Sequence, residues 1–355
     1  MNISIGLLKK LPKVELHCHL DGSLNPGTII DLAEKQKVSL PTTNVDELKN
    51  ILSIGDKRVS LEEYLKKFKI TLSVLQTPES LERTAFELIQ EVSKENIRYI
   101  EVRYSPILHT EKGMTPEESV DAVLKGLKTG KEEFGIISGI IICGIRNINP
   151  KISLQLAELT YSYKNKGVVG FDLAGAEENF PAKDHMEAFY FILNNNLNVT
   201  IHAGEAYGTS SIHQAIHYCG AHRIGHGTRL REDEDLMNYV QDHRITLEVC
   251  LTSNCHTRSV PSLEQHPFKF YYDRDIRVTL NTDNRLMSDT TLTKEFYLSH
   301  ELFGLTLHDF RKLTITAMKS SFLSHDKRKK MIRSIAEELE NEFGLMPEFI
   351  AQTKT

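Results

Sequence analysis

Two histidines spaced by one residue, His17-Cys18-His19, close a short apolar run at Val14–Leu20. Side chains alternate along a strand, so His17 and His19 share one face and Cys18 takes the other. Further ligand-type residues follow other apolar runs. His202 stands in Thr200-Ile201-His202-Ala203-Gly204-Glu205, His226 in Arg223-Ile224-Gly225-His226-Gly227, and Asp283 in Leu280-Asn281-Thr282-Asp283-Asn284. Each alone has a plain explanation: a satisfied core histidine, a polar loop tip, a helix-capping aspartate. Together, at the ends of separate strands, they supply imidazoles and a carboxylate to one space. That set suits a borderline divalent metal, with zinc the natural choice. With one position left open to water, such a site is catalytic, because zinc lowers the pKa of bound water to about 7.

The elements that must position these residues are eight apolar runs. They are Val14–Leu20, Tyr99–Arg103, Ile137–Cys143, Val168–Leu173, Leu197–His202, His222–Gly225, Ile245–Val249 and Ile276–Leu280. Their Ile, Val and Leu content fits strands buried on both faces. Helical periodicity fills most intervals, as at Pro78–Glu95, Pro116–Phe134, Ile152–Asn165 and His185–Asn194. Strands alternating with helices imply parallel β-α units, and eight such units close into a barrel. The fold class is α/β, a (β/α)8 TIM-type barrel, with 1–355 as one domain. Its candidate ligands fall at the C-terminal strand ends, where such barrels carry active sites. Two regions exceed the repeat. Leu24–Asn96 is expected to cover the barrel mouth and includes a helical stretch, Leu61–Leu75. Thr291–Gly344 is expected to add helices outside the barrel, at Leu305–Met318 and His325–Phe343.

Composition narrows the partners. The net charge is -5, and 43 Lys and Arg are interspersed with 48 Asp and Glu, so no basic patch advertises nucleic acid. The five cysteines are odd in number and form no CxxC, which fits reduced thiols in the cytoplasm. The opening residues lack a signal-peptide pattern, and no apolar run has the length of about 20 residues that spans a membrane.

The motifs resemble those of the adenosine deaminase family. They are Pro12 to Gly22 (PKVELHCHLDG), Tyr99 to Pro106 (YIEVRYSP), Phe171 to Gly175 (FDLAG), His202 to Glu205 (HAGE), His222 to Gly227 (HRIGHG), Leu280 to Asp283 (LNTD) and Ala317 to Phe322 (AMKSSF). The resemblance runs from about Leu11 to Phe343. It implies one zinc ion per chain held by His17, His19, His202 and Asp283. It implies Glu205 as the acid that protonates purine N1. It assigns His226 to orient the zinc-held hydroxide, with taking its proton as a further candidate role. His19 also borders the substrate. Gly175 matches the residue whose backbone N–H contacts N3, and Asp21 the one that binds the ribose 5′-hydroxyl. The second residue after the last strand is an acid in many members and Asn284 here. An amide donates to N7 at any pH, so the contact is preserved. Ser60 to Phe68 resembles the family's lid helix. Leu61, Tyr64, Leu65 and Phe68 follow i, i+3, i+4, i+7 spacing, a face that either packs on the core or covers the ligand.

The chemistry agrees. Protonating N1 makes C6 electrophilic, and a dry site can raise a carboxyl's pKa enough to keep Glu205 protonated. An acid near a helix start is the bland alternative. Asp21 favours a purine nucleoside as the small-molecule partner, because adenine-type relatives tend to carry a longer Glu there. An anionic Asp21 would repel a 5′-phosphate. Free adenine and 5′-modified adenosines, of the aminofutalosine or methylthioadenosine type, are the alternatives. The HxE…PCxxC pattern of nucleic-acid base deaminases is absent. A two-metal amidase or phosphotriesterase would often carry a lysine after the fourth strand, where Asp172-Leu173-Ala174-Gly175 stands. A non-catalytic barrel would have lost a ligand or the acid, and each is in place.

Overall fold

The computed structural model describes residues 3–55 and 57–347. Eight parallel strands run in sequence order: β1 Lys13–His19, β2 Ile97–Tyr104, β3 Ile137–Ile145, β4 Val168–Ala174, β5 Asn198–Ala203, β6 Arg223–His226, β7 Thr246–Val249 and β8 Val278–Leu280. The sheet closes on itself just beyond β8. His19 N–H donates to Asp283 O at 2.7 Å, and Asp283 N–H donates to His17 O at 2.9 Å. The architecture is the (β/α)8 barrel. The four-residue β6 is real and ends on His226 instead of before it.

Local chemistry starts the helices where the sequence suggests. Pro78 and Pro116 open their helices, behind Thr77 and Thr115, whose hydroxyls accept from the third helical N–H. Helices Pro78–Ser93 and Pro116–Phe134 pack side by side outside β2 and β3.

The barrel interior is not apolar. The inward faces of β2, β4, β6 and β7 carry buried charges that meet in one network: Glu101, Arg103, Asp172, Arg223 and Glu248. Arg103 reaches Asp172 at 3.1 Å and Glu248 at 2.7 Å, and Arg223 reaches Glu101 and Glu248, each at 2.5 Å. Buried charges persist only when paired. Strands read from sequence as apolar runs are therefore apolar toward the helices and ionic toward the axis.

The C-terminal helices Leu307–Ser320 and His325–Phe343 lie outside the barrel as expected, and the turn between them closes its lower end. Phe322 N–H donates to Glu101 at 2.6 Å, Arg223 donates to Ser320 O at 2.9 Å, and the Phe322 ring lies 3.5 Å from the Arg223 guanidinium carbon. That gives the Ala317 to Phe322 motif a physical task. At the upper end, the long insertion forms five helices, from Pro26–Gln36 to Pro78–Ser93. Its Leu61–Leu75 stretch is two helices, Leu61–Lys66 and Phe68–Val74. The turn tightens at Lys67, whose N–H bonds back to Tyr64 O at 3.2 Å while its ammonium caps the carbonyls of Ile51 and Ser53. Among the described residues, no helix is long and apolar enough to cross a membrane.

Candidate active site

The C-terminal strand ends gather the histidines. His17 Nε2 lies 3.2 Å from Asp283 Oδ1, His19 Nε2 lies 3.3 Å from the same oxygen, and His19 Nε2 and His202 Nε2 are 3.1 Å apart. Ligand atoms of His17, His202, His226 and Asp283 all fall within 4.8 Å of one another. The tautomers make this spacing informative. His17 Nδ1 faces the Glu248 carboxylate at 3.0 Å, and His202 Nδ1 faces Asp172 at 3.1 Å. A carboxylate only accepts, so both Nδ1 atoms carry the proton and both Nε2 atoms present lone pairs. His17 Nε2 is buried without a hydrogen-bond partner. Lone pairs and a carboxylate turned on one another need a cation between them. Ligands about 2.1 Å from a tetrahedral centre stand about 3.4 Å apart, close to the separations found here. The cluster fits a metal ion.

Asp283 is ready to serve. Burial opposes its ionisation, but the surrounding imidazoles, His17 first, outweigh that and hold its carboxyl well below the usual range. Ser253 donates to its other oxygen, Oδ2, at 2.6 Å. Both His226 and Asp283 have left-handed backbone, φ 66° and 61°, a conformation non-glycine residues adopt where the surrounding structure enforces it.

A cavity of about 230 Å³ opens onto this cluster. His19, His202, His226, Asp283 and Glu205 form its polar end. Asp21, Gly175 and Asn284 border it, and Leu61, Tyr64, Leu65 and Phe68 form an apolar wall. His17 lies beneath, fully buried. The break at Lys67 leaves that wall intact, with Phe68 opening the second helix. Cys18 points away, its Sγ 3.5 Å from Ser23 Oγ.

Glu205 stands in the loop after β5, 3.5 Å from His226 Nε2. Burial, then the charge of Asp283, pushes its carboxyl up to about 8, so it is protonated near neutrality. Its loop is fixed by Glu177. That buried carboxylate accepts four successive backbone N–H groups, from Gly204 (2.6 Å), Glu205 (2.9 Å), Ala206 (2.5 Å) and Tyr207 (3.0 Å). Burial likewise lifts Asp21 to about 7, and its Oδ1 has no partner. Asp21 is thus less anionic than its type suggests. Among the described residues no Lys or Arg lines the cavity, which is the stronger argument against a phosphate.

Sequence reasoning gave no role to Asp172, Glu177, Glu248, Ser253 or Asn254. Asp172 and Glu177 flank Gly175 in sequence, yet the site residues they hold, His202 and the Gly204–Tyr207 loop, lie 27 or more residues away. Asp172 shares its face of β4 with the small Gly170 and Ala174 and alternates with Phe171 and Leu173, a period-two signal for an inward position.

Residues 12–338 match the profile of the adenosine deaminase family. The chain belongs to this family. It is 42% identical over 332 residues to an adenosine deaminase of Clostridium botulinum, covering 93% of this chain and 98% of that protein. It is 40% identical over 354 residues to the adenosine deaminase of Mycobacterium avium, covering 94% and 96%. Among solved structures it is similar to the N6-mAMP deaminase of Arabidopsis, with a TM-score of 0.83, 26% identity and coverage of 93% and 98%.

Two glycines show how closely this family member packs its cavity rim. Gly175 has φ 95°, which a side chain rarely adopts, and so keeps its backbone open to the cavity. At Gly22 a Cβ would fall 1.9 Å from Asn284 Oδ1. Gly22→Ala should therefore displace Asn284 and lower kcat/KM by about tenfold, the size of one lost polar contact of roughly 1.4 kcal/mol. Circular dichroism should remain that of the parent. Unchanged kcat/KM would mean that Asn284 makes no contact with substrate.

Proposed function

We propose that this chain hydrolyses the 6-amino group of adenosine, and of 2′-deoxyadenosine, giving inosine and ammonia. His17, His19, His202 and Asp283 would hold one zinc ion. The observation that carries the reading is a buried carboxyl, Glu205, protonated near neutrality and set three residues beyond His202 on the wall of the same cavity. Zinc, when bound, makes water nucleophilic at neutral pH. The protein's own groups do the rest. Glu205 gives its proton to N1, so that C6 accepts the attack. Gly175 offers its backbone N–H to N3. Asn284, with Oδ1 packed against Gly22, has its amide nitrogen left to donate to N7. Asp21 binds the ribose 5′-hydroxyl. Leu61, Tyr64, Leu65 and Phe68 exclude water from the purine face. His226 orients the attacking oxygen. Five free cysteines fit a reducing cytoplasm.

A second reading, deamination of adenine or of a 5′-modified adenosine, is favoured by the lack of Lys and Arg among the described residues around Asp21, which would admit a neutral 5′ substituent. Ultraviolet assays on adenosine, 2′-deoxyadenosine, adenine, AMP and 5′-methylthioadenosine rank the two. Adenosine should give the highest kcat/KM, AMP little turnover, and chelation should abolish activity until zinc is returned. A clear preference for adenine, or turnover that survives removal of all metal, would overturn the proposal.

A further inference from the structure

His226 is backed by an amide, whereas His17 and His202 are backed by carboxylates. Its Nδ1 lies 2.9 Å from Asn254 Nδ2. Asn254 Oδ1 lies 3.1 Å from His266 Nε2, and the backbone N–H of Phe268 donates to His266 Nδ1 at 3.0 Å. His226, Asn254 and His266 are all buried. This chain of bonds has one possible sense. A backbone N–H can only donate, so His266 Nδ1 is an acceptor. Burial, with Arg231 nearby, drops the His266 imidazole to about 3, so it is neutral and carries its single proton on Nε2. That proton goes to Asn254 Oδ1. The amide must then turn its NH2 toward His226, and His226 Nδ1 must accept. The proton of His226 is left on Nε2, the atom facing Glu205 across the cavity.

We infer that Asn254 and His266 are positioning residues that hold His226 in its Nε2–H tautomer, making it a hydrogen-bond donor to the attacking oxygen. His226 then contributes no lone pair to a metal and does not take the proton of the attacking water. The same accounting separates the convergent imidazoles. His17 and His202 point lone pairs at the cluster, and His226 points a hydrogen. A backing carboxylate makes a ligand; a backing amide makes a donor.

The catalytic consequence rests on the proposed deamination, but the tautomer does not. In protein labelled with 15N-histidine, two-bond 1H–15N spectra distinguish the protonated ring nitrogen. The His226 signals are identified by their loss in His226→Gln. Metal-free wild-type protein should show His226 protonated at Nε2. Asn254→Asp puts an acceptor on both sides and should move the proton to Nδ1. With zinc bound, kcat of that variant should fall about 10- to 100-fold, the usual effect of a second-layer partner. Asn254→Leu removes both polar contacts at similar volume and should leave a mixture of tautomers. Nδ1 protonation in the wild type overturns the inference, and so does a proton moved to Nδ1 with kcat unchanged. If Asn254→Asp does not fold, the wild-type spectrum and Asn254→Leu decide. A chain that fails to deaminate adenosine yet shows the Nε2–H tautomer would sink the activity and leave the tautomer assignment standing.

Discussion

Glu205→Gln should lower kcat for adenosine by about a thousandfold, within the range of 10²–10⁴ for a general acid, while zinc content stays at one per chain. Glutamine keeps the shape and hydrogen-bonding reach of the side chain but has no proton to release to N1. The carboxyl has that proton because the charged form is penalised by burial and by Asp283, which place its pKa near 8. The sign follows directly. Below that value the acid form predominates and can donate; above it the group ionises and donation stops. The kcat/KM of the parent should therefore decline as pH rises through about 8, with a slope of one proton. Glu205→Gln should remove that alkaline limb from its residual rate. Stopped-flow turnover across pH, with metal analysis of the same samples, checks both statements. Near-normal turnover in the variant would refute the assigned role.

The second large effect is expected at Asp283. Replacing it with alanine removes the one anion among the convergent groups, the carboxylate that lies within 3.3 Å of both His17 Nε2 and His19 Nε2. Zinc affinity should fall by about a hundredfold or more, an outcome consistent with losing one first-layer charge worth roughly 3 kcal/mol. Activity should fall with it, and added zinc should restore only part. Alanine is also ill suited to φ 61°, at about 1–2 kcal/mol. Asp283→Asn separates the two effects, because asparagine tolerates that backbone and keeps the hydrogen bond from Ser253 Oγ, 2.6 Å from Oδ2 in the parent. Competition with a chromophoric chelator measures affinity, and thermal denaturation reports the backbone penalty. Asp283→Asn with parental zinc affinity would remove this carboxylate from the ligand set.

The barrel was legible because its signals are local. Eight apolar runs, each followed by helical spacing or a turn, specify β-α units whatever surrounds them. Pro78 and Pro116 mark helix starts through their own backbone restriction. The His17–His19 spacing is legible for the same reason, since a period of two puts both rings on one face. The Leu61–Phe68 face was legible as a stripe, but the tightening at Lys67 was not, because the carbonyls of Ile51 and Ser53 that its ammonium caps are distant in sequence. Nor was the ionic interior. Arg103, Asp172 and Glu248 sit among Ile, Val and Leu, and a run average hides an alternation.

The sequence by itself determined which chemical groups stand at the ends of the strands: imidazoles, one aspartate, and Glu205 three residues past His202. What only the tertiary structure decided is the protonation state of each. His17 meets Glu248 across 231 residues, His202 meets Asp172 across 30, and His226 meets Asn254 across 28. A ring nitrogen binds a cation or offers a hydrogen according to what its other nitrogen touches, and that neighbour comes from a different strand or loop. Residue type fixes the available chemistry, and barrel closure, which brings distant chain segments into contact, fixes which form is used.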